Sequence, residues 1–180
     1  MAVLCLNHLK QTSIGLVSYA QTDENGAILI YGSRNGNEWF WPEPLDEGGY
    51  VGDPNVLVCP AEENNKYIHT SRAYGINQND PNASDGSNIF YLYKIPSQVI
   101  IIIDSTVSEA QHAGNVPAGY QIHKAAHDTG NGASWGVHLR HGNRANGLYA
   151  DSHASATSSG ELKGHGFIDG YNDSREHVVF

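Results

Sequence analysis

From Ala2 to about Thr22 the apolar residues recur with the spacing of an α-helix, and beyond Gly26 that pattern is gone. Ala2, Leu6, Leu9, Ser13, Leu16 and Ala20 fall at steps of four and three, with Val3 and Val17 widening the stripe. Asn7, Lys10, Gln11 and Ser18 fall largely on the other side. Asp23-Glu24-Asn25-Gly26 then supplies the polar residues and the glycine that commonly end a helix. A single leading helix followed by strands and loops predicts an α+β fold in which the helix packs on an antiparallel sheet.

The strands are short. Ala27 to Tyr31 is one candidate, Asn35 to Pro44 an aromatic, proline-containing loop, and Val56 to Val58 an apolar run that stops at Cys59-Pro60. Ile89 to Ile95 and Gln98 to Asp104 have the strongest strand composition, separated by Pro96. Leu139-Arg140 and Gly147 to Ala150 suggest two more, joined by the turn-forming His141-Gly142-Asn143-Arg144. The whole chain of 180 residues reads as one domain, long enough for one substantial core.

Charge narrows the function classes. Ten Lys and Arg against 19 Asp and Glu leave a net charge of −9, a field that repels a phosphate backbone, so a nucleic-acid partner is not expected. The same field suits a divalent cation or a basic partner. The longest apolar run, Val99 to Ile103, falls far short of the roughly 20 residues that cross a bilayer, and no secretion signal is legible. Composition alone therefore describes a cytosolic protein. The two cysteines, Cys5 and Cys59, permit either one disulfide in an oxidising compartment or two buried thiols.

Three stretches carry more specific information. Cys5-Leu6-Asn7-His8-Leu9-Lys10-Gln11 leads, through Leu16, Tyr19 and Ala20, into Asp23-Glu24-Asn25-Gly26. Leu57-Val58-Cys59-Pro60 follows, with Tyr74-Gly75-Ile76-Asn77 downstream. The third stretch runs Arg140-His141-Gly142-Asn143-Arg144-Ala145-Asn146-Gly147-Leu148-Tyr149-Ala150-Asp151-Ser152-His153. In this order they resemble prepilin-type proteins with a C-terminal H-x9-D-G motif, type IV pilin-like subunits of the type II secretion pseudopilin group. Cys5, Asn7, Leu9, Lys10, Gln11, Cys59, Pro60, His141, Gly142, Asn146, Asp151 and His153 are the positions that match. Ser152 stands where the motif has glycine, which puts a positive-φ turn in question.

The resemblance implies a structural subunit that acts by assembly and protein secretion, not by catalysis. Residues 1–24 would be the distal half of the pilin helix and residues 25–180 a head domain of sheet and loops. An apolar half-helix and its processing site, which this sequence lacks ahead of Ala2, would anchor the precursor in the inner membrane. That points either to a chain trimmed at this position or to an anchor-less paralogue. The head would face the periplasm and meet other pilin-like subunits and secretion-system components. Because major pseudopilins hold calcium in a C-terminal loop, the resemblance also suggests Asp169, Asn172, Asp173 and Glu176 as calcium ligands, although neither they nor Asp80, Asn82 and Asp85 follow EF-hand spacing.

Other chemistry is weaker. His123 and His127 stand at metal-binding i, i+4 spacing, but Lys124 occupies the position where zinc proteases carry a glutamate, and solvated loop histidines are the plainer reading. His141, Asp151 and His153 would approach one another if their stretch were a hairpin; otherwise Asp151 organises a turn and His141 donates to a carbonyl. Asp128-Thr129-Gly130 matches the aspartic-protease triplet but has no duplicate and no flanking apolar strand. Trp39, Phe40 and Trp41 are either a platform for a sugar or partner, or a lid on the core. A secreted carbohydrate-binding module and a His-dependent metalloenzyme are thus the alternatives to a pilin-like subunit.

Overall fold

A computed structural model describes residues 2–34, 37–61, 67, 73–77, 89–107, 121–122 and 135–180. Helix α1 (Ala2–Ala20) forms where the periodicity predicts. The acidic turn ends it: the Asp23 carboxylate accepts from the backbone N–H groups of Asn25 at 2.8 Å and Ala27 at 3.2 Å. Gly26 follows at φ 66°, a conformation that a side chain resists.

The buried face of α1 is rotated from the expected stripe. Cys5 and Thr12 join Leu9, Ser13, Leu16 and Ala20 inside, whereas Val3 points to solvent. Polar pairing with a distant segment accounts for the rotation. Thr12 donates its hydroxyl to the Val56 carbonyl at 3.0 Å, and His8 Nδ1 lies 3.1 Å from the Val58 carbonyl oxygen. Those carbonyls belong to a buried 3-10 turn, Pro54–Leu57, and the residue after it, and need partners.

Strands β1 (Ala27–Leu29), β2 (Tyr31–Arg34) and β3 (Asn37–Phe40) come next, followed by helix α2 (Pro42–Glu47). The expected strand at Ala27 to Tyr31 is therefore two strands, and the expected loop at Asn35 to Pro44 contains a strand and the start of a helix. Pro42 opens α2, where no backbone N–H is needed. Glu43, though buried, accepts from the Phe40 N–H at 2.7 Å. Phe40 and Trp41 are buried, so this part of the aromatic cluster is a lid on the core.

The remaining elements are β4 (Gly75–Asn77), β5 (Ile89–Tyr91), β6 (Ile100–Ile103), β7 (Ser105–Val107), β8 (Gln121–Ile122), β9 (Trp135–His138), β10 (Arg144–Tyr149), β11 (Ala154–Ser158), helix α3 (Ser159–Gly164), β12 (Asp169–Tyr171) and β13 (His177–Val179). The expected strand at Ile89 to Ile95 stops at Tyr91, where a 3-10 turn begins. A five-stranded sheet runs β11-β10-β6-β4-β8 and a four-stranded sheet β13-β12-β9-β7, with pairs β1-β5 and β2-β3 beside them. Most pairings are antiparallel, but β4–β8 and β12–β9 are parallel. The fold is α+β with an N-terminal helix and largely antiparallel sheets.

Asp104 joins the two larger sheets. Strands β6 and β7 are a single run of chain interrupted at Asp104. Its N–H donates to the Asn146 carbonyl in β10 at 3.0 Å, and its own carbonyl accepts from the His138 N–H in β9 at 2.9 Å. Strand β6 is buried throughout. Ile101 and Ile102 face the core beneath α1 with Leu9, Leu16, Trp41 and Leu148, while Ile100 and Ile103 face a second core with Val137, Leu139, Leu162 and Phe167. Burial on both sides explains why this strand is an unbroken apolar run. Among the described residues, no helix is long and apolar enough to cross a membrane.

Candidate functional site

The point where the chain passes from one sheet to the other collects four reactive side chains. Asp104 provides the carboxylate, Cys5 comes from the start of α1, Cys59 follows the 3-10 turn, and His141 sits in the turn ahead of β10. That turn is closed by the His141 N–H on the Arg144 carbonyl at 3.0 Å and requires left-handed backbone at Gly142 and Asn143. The ligating atoms of all four residues lie within 4.8 Å of one another. Cys5 Sγ is 3.5 Å from Asp104 Oδ1, Cys59 Sγ is 3.4 Å from His141 Nε2, and His141 Nε2 is 3.3 Å from Asp104 Oδ2.

A second ring of groups braces the first. The Asn146 N–H donates to Asp104 Oδ2 at 2.7 Å, and the Asn146 side-chain amide reaches the Ala2 carbonyl at 3.4 Å. The Tyr74 hydroxyl is 3.1 Å from Cys5 Sγ. Arg140 donates to the Ser105 carbonyl beside the cluster. A small cavity of about 10 Å³ opens between Cys59, Tyr74, Asp104 and Arg140, about the space one water needs.

Electrostatics bind the set together. Burial alone would raise the Asp104 carboxyl, but the His141 hydrogen bond, the Arg140 charge and the Asn146 N–H outweigh it and hold the group below the usual carboxylate range. Burial likewise opposes charge on His141, yet its bonds to Asp104 and Cys59 raise it to about 9. The Cys59 thiol is lowered to about 7, chiefly by its hydrogen bond with Cys5, while the same bond together with burial pushes the Cys5 thiol up. Nearby His138 is pressed down to about 2 by burial and by Arg140, so it stays neutral.

This arrangement is not a nucleophilic triad. Such a base uses one ring nitrogen on its nucleophile and the other on its carboxylate, whereas His141 turns the same Nε2 toward both Cys59 and Asp104. What the set offers is two thiols, an imidazole and a carboxylate converging in a buried space. The cysteines stand as free thiols side by side.

Of the residues expected from sequence, Cys5, Cys59 and His141 come together with Asn146 as a brace. Leu9 and Pro60 are buried, and Asn7, Lys10, Gln11 and Gly142 are exposed. Asp151 and His153 do not join His141. Strand β9 ends at His138 and pairs with β7 and β12, so the stretch expected as a hairpin links two sheets instead. His141 precedes β10 and Asp151 follows it, across a six-residue strand of about 20 Å. There Asp151 organises the β10–β11 turn, accepting from the His153 N–H at 3.1 Å and pairing with His153 Nδ1 at 2.5 Å. These bonds hold the Asp151 carboxyl below its ordinary range.

The suggested calcium ligands serve a different turn. Asn172 Oδ1 accepts from the N–H groups of Ser174 and Glu176, Glu176 Oε2 accepts from the Asn172 amide, and Asp169 Oδ2 pairs with His177 Nε2. These contacts tie Asp169, Asn172 and Glu176 into the turn between β12 and β13. His123, His127, Asp128-Thr129-Gly130 and the Asp80, Asn82, Asp85 loop lie outside the described residues. Sequence reasoning passed over Asp104, whose one signal is an acidic residue closing the most apolar run of the chain, and Tyr74 as a contact of Cys5. No family model matches the chain, no curated protein is similar to it in sequence, and no solved structure matches its fold.

Proposed function

We propose that this chain is the head domain of a type IV pilin-like subunit, a structural component of a type II secretion pseudopilus or a related filament. The outward face of α1 carries the proposal. Val3 and Ile14 are 73% and 67% exposed. They lie eleven residues apart, about three turns, and so on one stripe of the helix, with Asn7 and Lys10 between them. Leu4 is exposed beside them. A helix serving only its own domain needs no apolar residues there; a helix packed against neighbouring subunits does.

The convergence of the motif stretches adds support. Cys5 from the first, Cys59 and Tyr74 from the second, and His141 and Asn146 from the third all meet around Asp104. In this reading the subunit is anchored through an apolar half-helix upstream of Ala2, its head lies in the periplasm, and other pilin-like subunits and secretion-system components are its partners. A sugar-binding module draws no support from Trp41, which is fully buried.

The test joins this chain to its upstream coding sequence in a host that processes and assembles pseudopilins, with a photo-crosslinking residue at position 14. Proteolytic trimming of the precursor and subunit-to-subunit crosslinks through position 14 are expected. An unprocessed precursor, or a trimmed one that crosslinks to no subunit, would sink the proposal.

A further inference from the structure

We propose that Cys5, Cys59, Asp104 and His141 form a closed, four-coordinate zinc site that clamps α1 onto the junction of the two sheets. Zinc bound at about 2.3 Å from sulfur and about 2.0–2.1 Å from nitrogen or oxygen sets tetrahedral ligand-to-ligand edges of roughly 3.3–3.8 Å. With Asp104 Oδ2 as the ligand oxygen, the edges found here are 3.9 Å from Cys5 sulfur to Oδ2, 3.4 Å from Cys59 sulfur to the His141 Nε2, and 3.3 Å from that nitrogen to Oδ2. The remaining atom pairs fall within 4.8 Å. Four side chains from four separate segments thus already stand near the corners of a zinc tetrahedron.

Donor chemistry selects the metal. Two thiolates and an imidazole suit zinc, whereas calcium and magnesium take six or more oxygens. Cys5, Cys59 and Asp104 are at most 2% exposed, and the His141 side chain is 4% exposed. No position is left open for a substrate, which marks a structural rather than a catalytic site. Binding sends the two thiol protons and the Nε2 proton of the His141 imidazolium to solvent, leaving a centre of net charge −1 that the Arg140 guanidinium faces. The Asn146 N–H on Asp104 at 2.7 Å and the Tyr74 hydroxyl beside Cys5 at 3.1 Å orient ligands in the manner of outer-shell partners. Because Cys5 is the only one of the four on α1, the metal is the covalent-strength link between helix and sheets.

The experiment uses the whole chain, purified without a histidine tag and under reducing conditions. Elemental analysis is expected to find one zinc per chain, and chelation is expected to lower the unfolding midpoint. Cobalt added to the stripped protein should give thiolate-to-cobalt charge transfer and the intense visible bands of a tetrahedral site. Cys59→Ala and His141→Ala should each lose both signals while circular dichroism reports a folded chain. His153→Ala, at the far end of β10, should keep them. Folded, reduced protein that takes up no zinc or cobalt would overturn the site, as would zinc retained by Cys59→Ala.

Discussion

At Ser152 the backbone holds a φ of 73°, in the left-handed region where a side chain crowds its own peptide. The β10–β11 turn imposes it. The Ser152 N–H donates to the Tyr149 carbonyl and the Tyr149 N–H to the His153 carbonyl, each at 2.9 Å, while Asp151 captures the His153 N–H. The His153 ring then stacks on Tyr149 with centroids 4.0 Å apart. The resembled motif has glycine at this position, and the turn keeps glycine's conformation without it. Ser152→Gly is therefore expected to stabilise the chain by about 0.5–1 kcal/mol, the relief of strain exceeding the added freedom of the unfolded chain. Urea unfolding reads the change as a higher midpoint at unchanged slope. A midpoint at or below that of the parent would mean the turn bears no strain at this residue.

Among the elements, α1 shows what a sequence reveals and what it hides. The period of Leu9, Ser13, Leu16 and Ala20 announces the helix, and Asp23 to Gly26 announces its end, because both signals are local. Its rotation about its own axis is set by Thr12 and His8 meeting carbonyls at Val56 and Val58, more than 40 residues away in sequence, and no local pattern carries that. The three-residue strands are too short to show a period at all. Asp104 was illegible for the same reason: its role comes from a strand that changes sheets. Cys5, Cys59 and His141 stand out in the sequence as motif positions, but bringing His141 to Asp151 and His153 requires a hairpin, and the stretch before β10 links two sheets instead. Close packing of α1 leads to a prediction at Gly15. A methyl there would lie 2.8 Å from Val51 Cγ1 and 3.1 Å from the Tyr50 carbonyl oxygen. Alanine gains about 1 kcal/mol in helix propensity, yet overpacking costs about 1–3 kcal/mol. Gly15→Ala should thus lower the thermal midpoint instead of raising it, and a higher midpoint would show that the Val51 loop yields freely.

Across the whole molecule, two cores share one strand. Ile101 and Ile102 of β6 lie under α1, and Ile100 and Ile103 lie over the second sheet, so neither core closes without β6 in place. Asp104 tightens this coupling, since its backbone bonds to β10 on one side and to β9 on the other. The two sheets are consequently expected to unfold as one cooperative unit. Leu162 gives the cleanest test, because it is fully buried in the second core and is not among the core residues beneath α1. Leu162→Ala should cost about 2–5 kcal/mol through lost burial and the cavity left behind. Hydrogen exchange should show that cost equally at the slowest amides of α1 and of β12, since opening either sheet exposes β6. If α1 kept its protection while β12 lost it, the sheets would be separable units, and Asp104 would be a hinge between them.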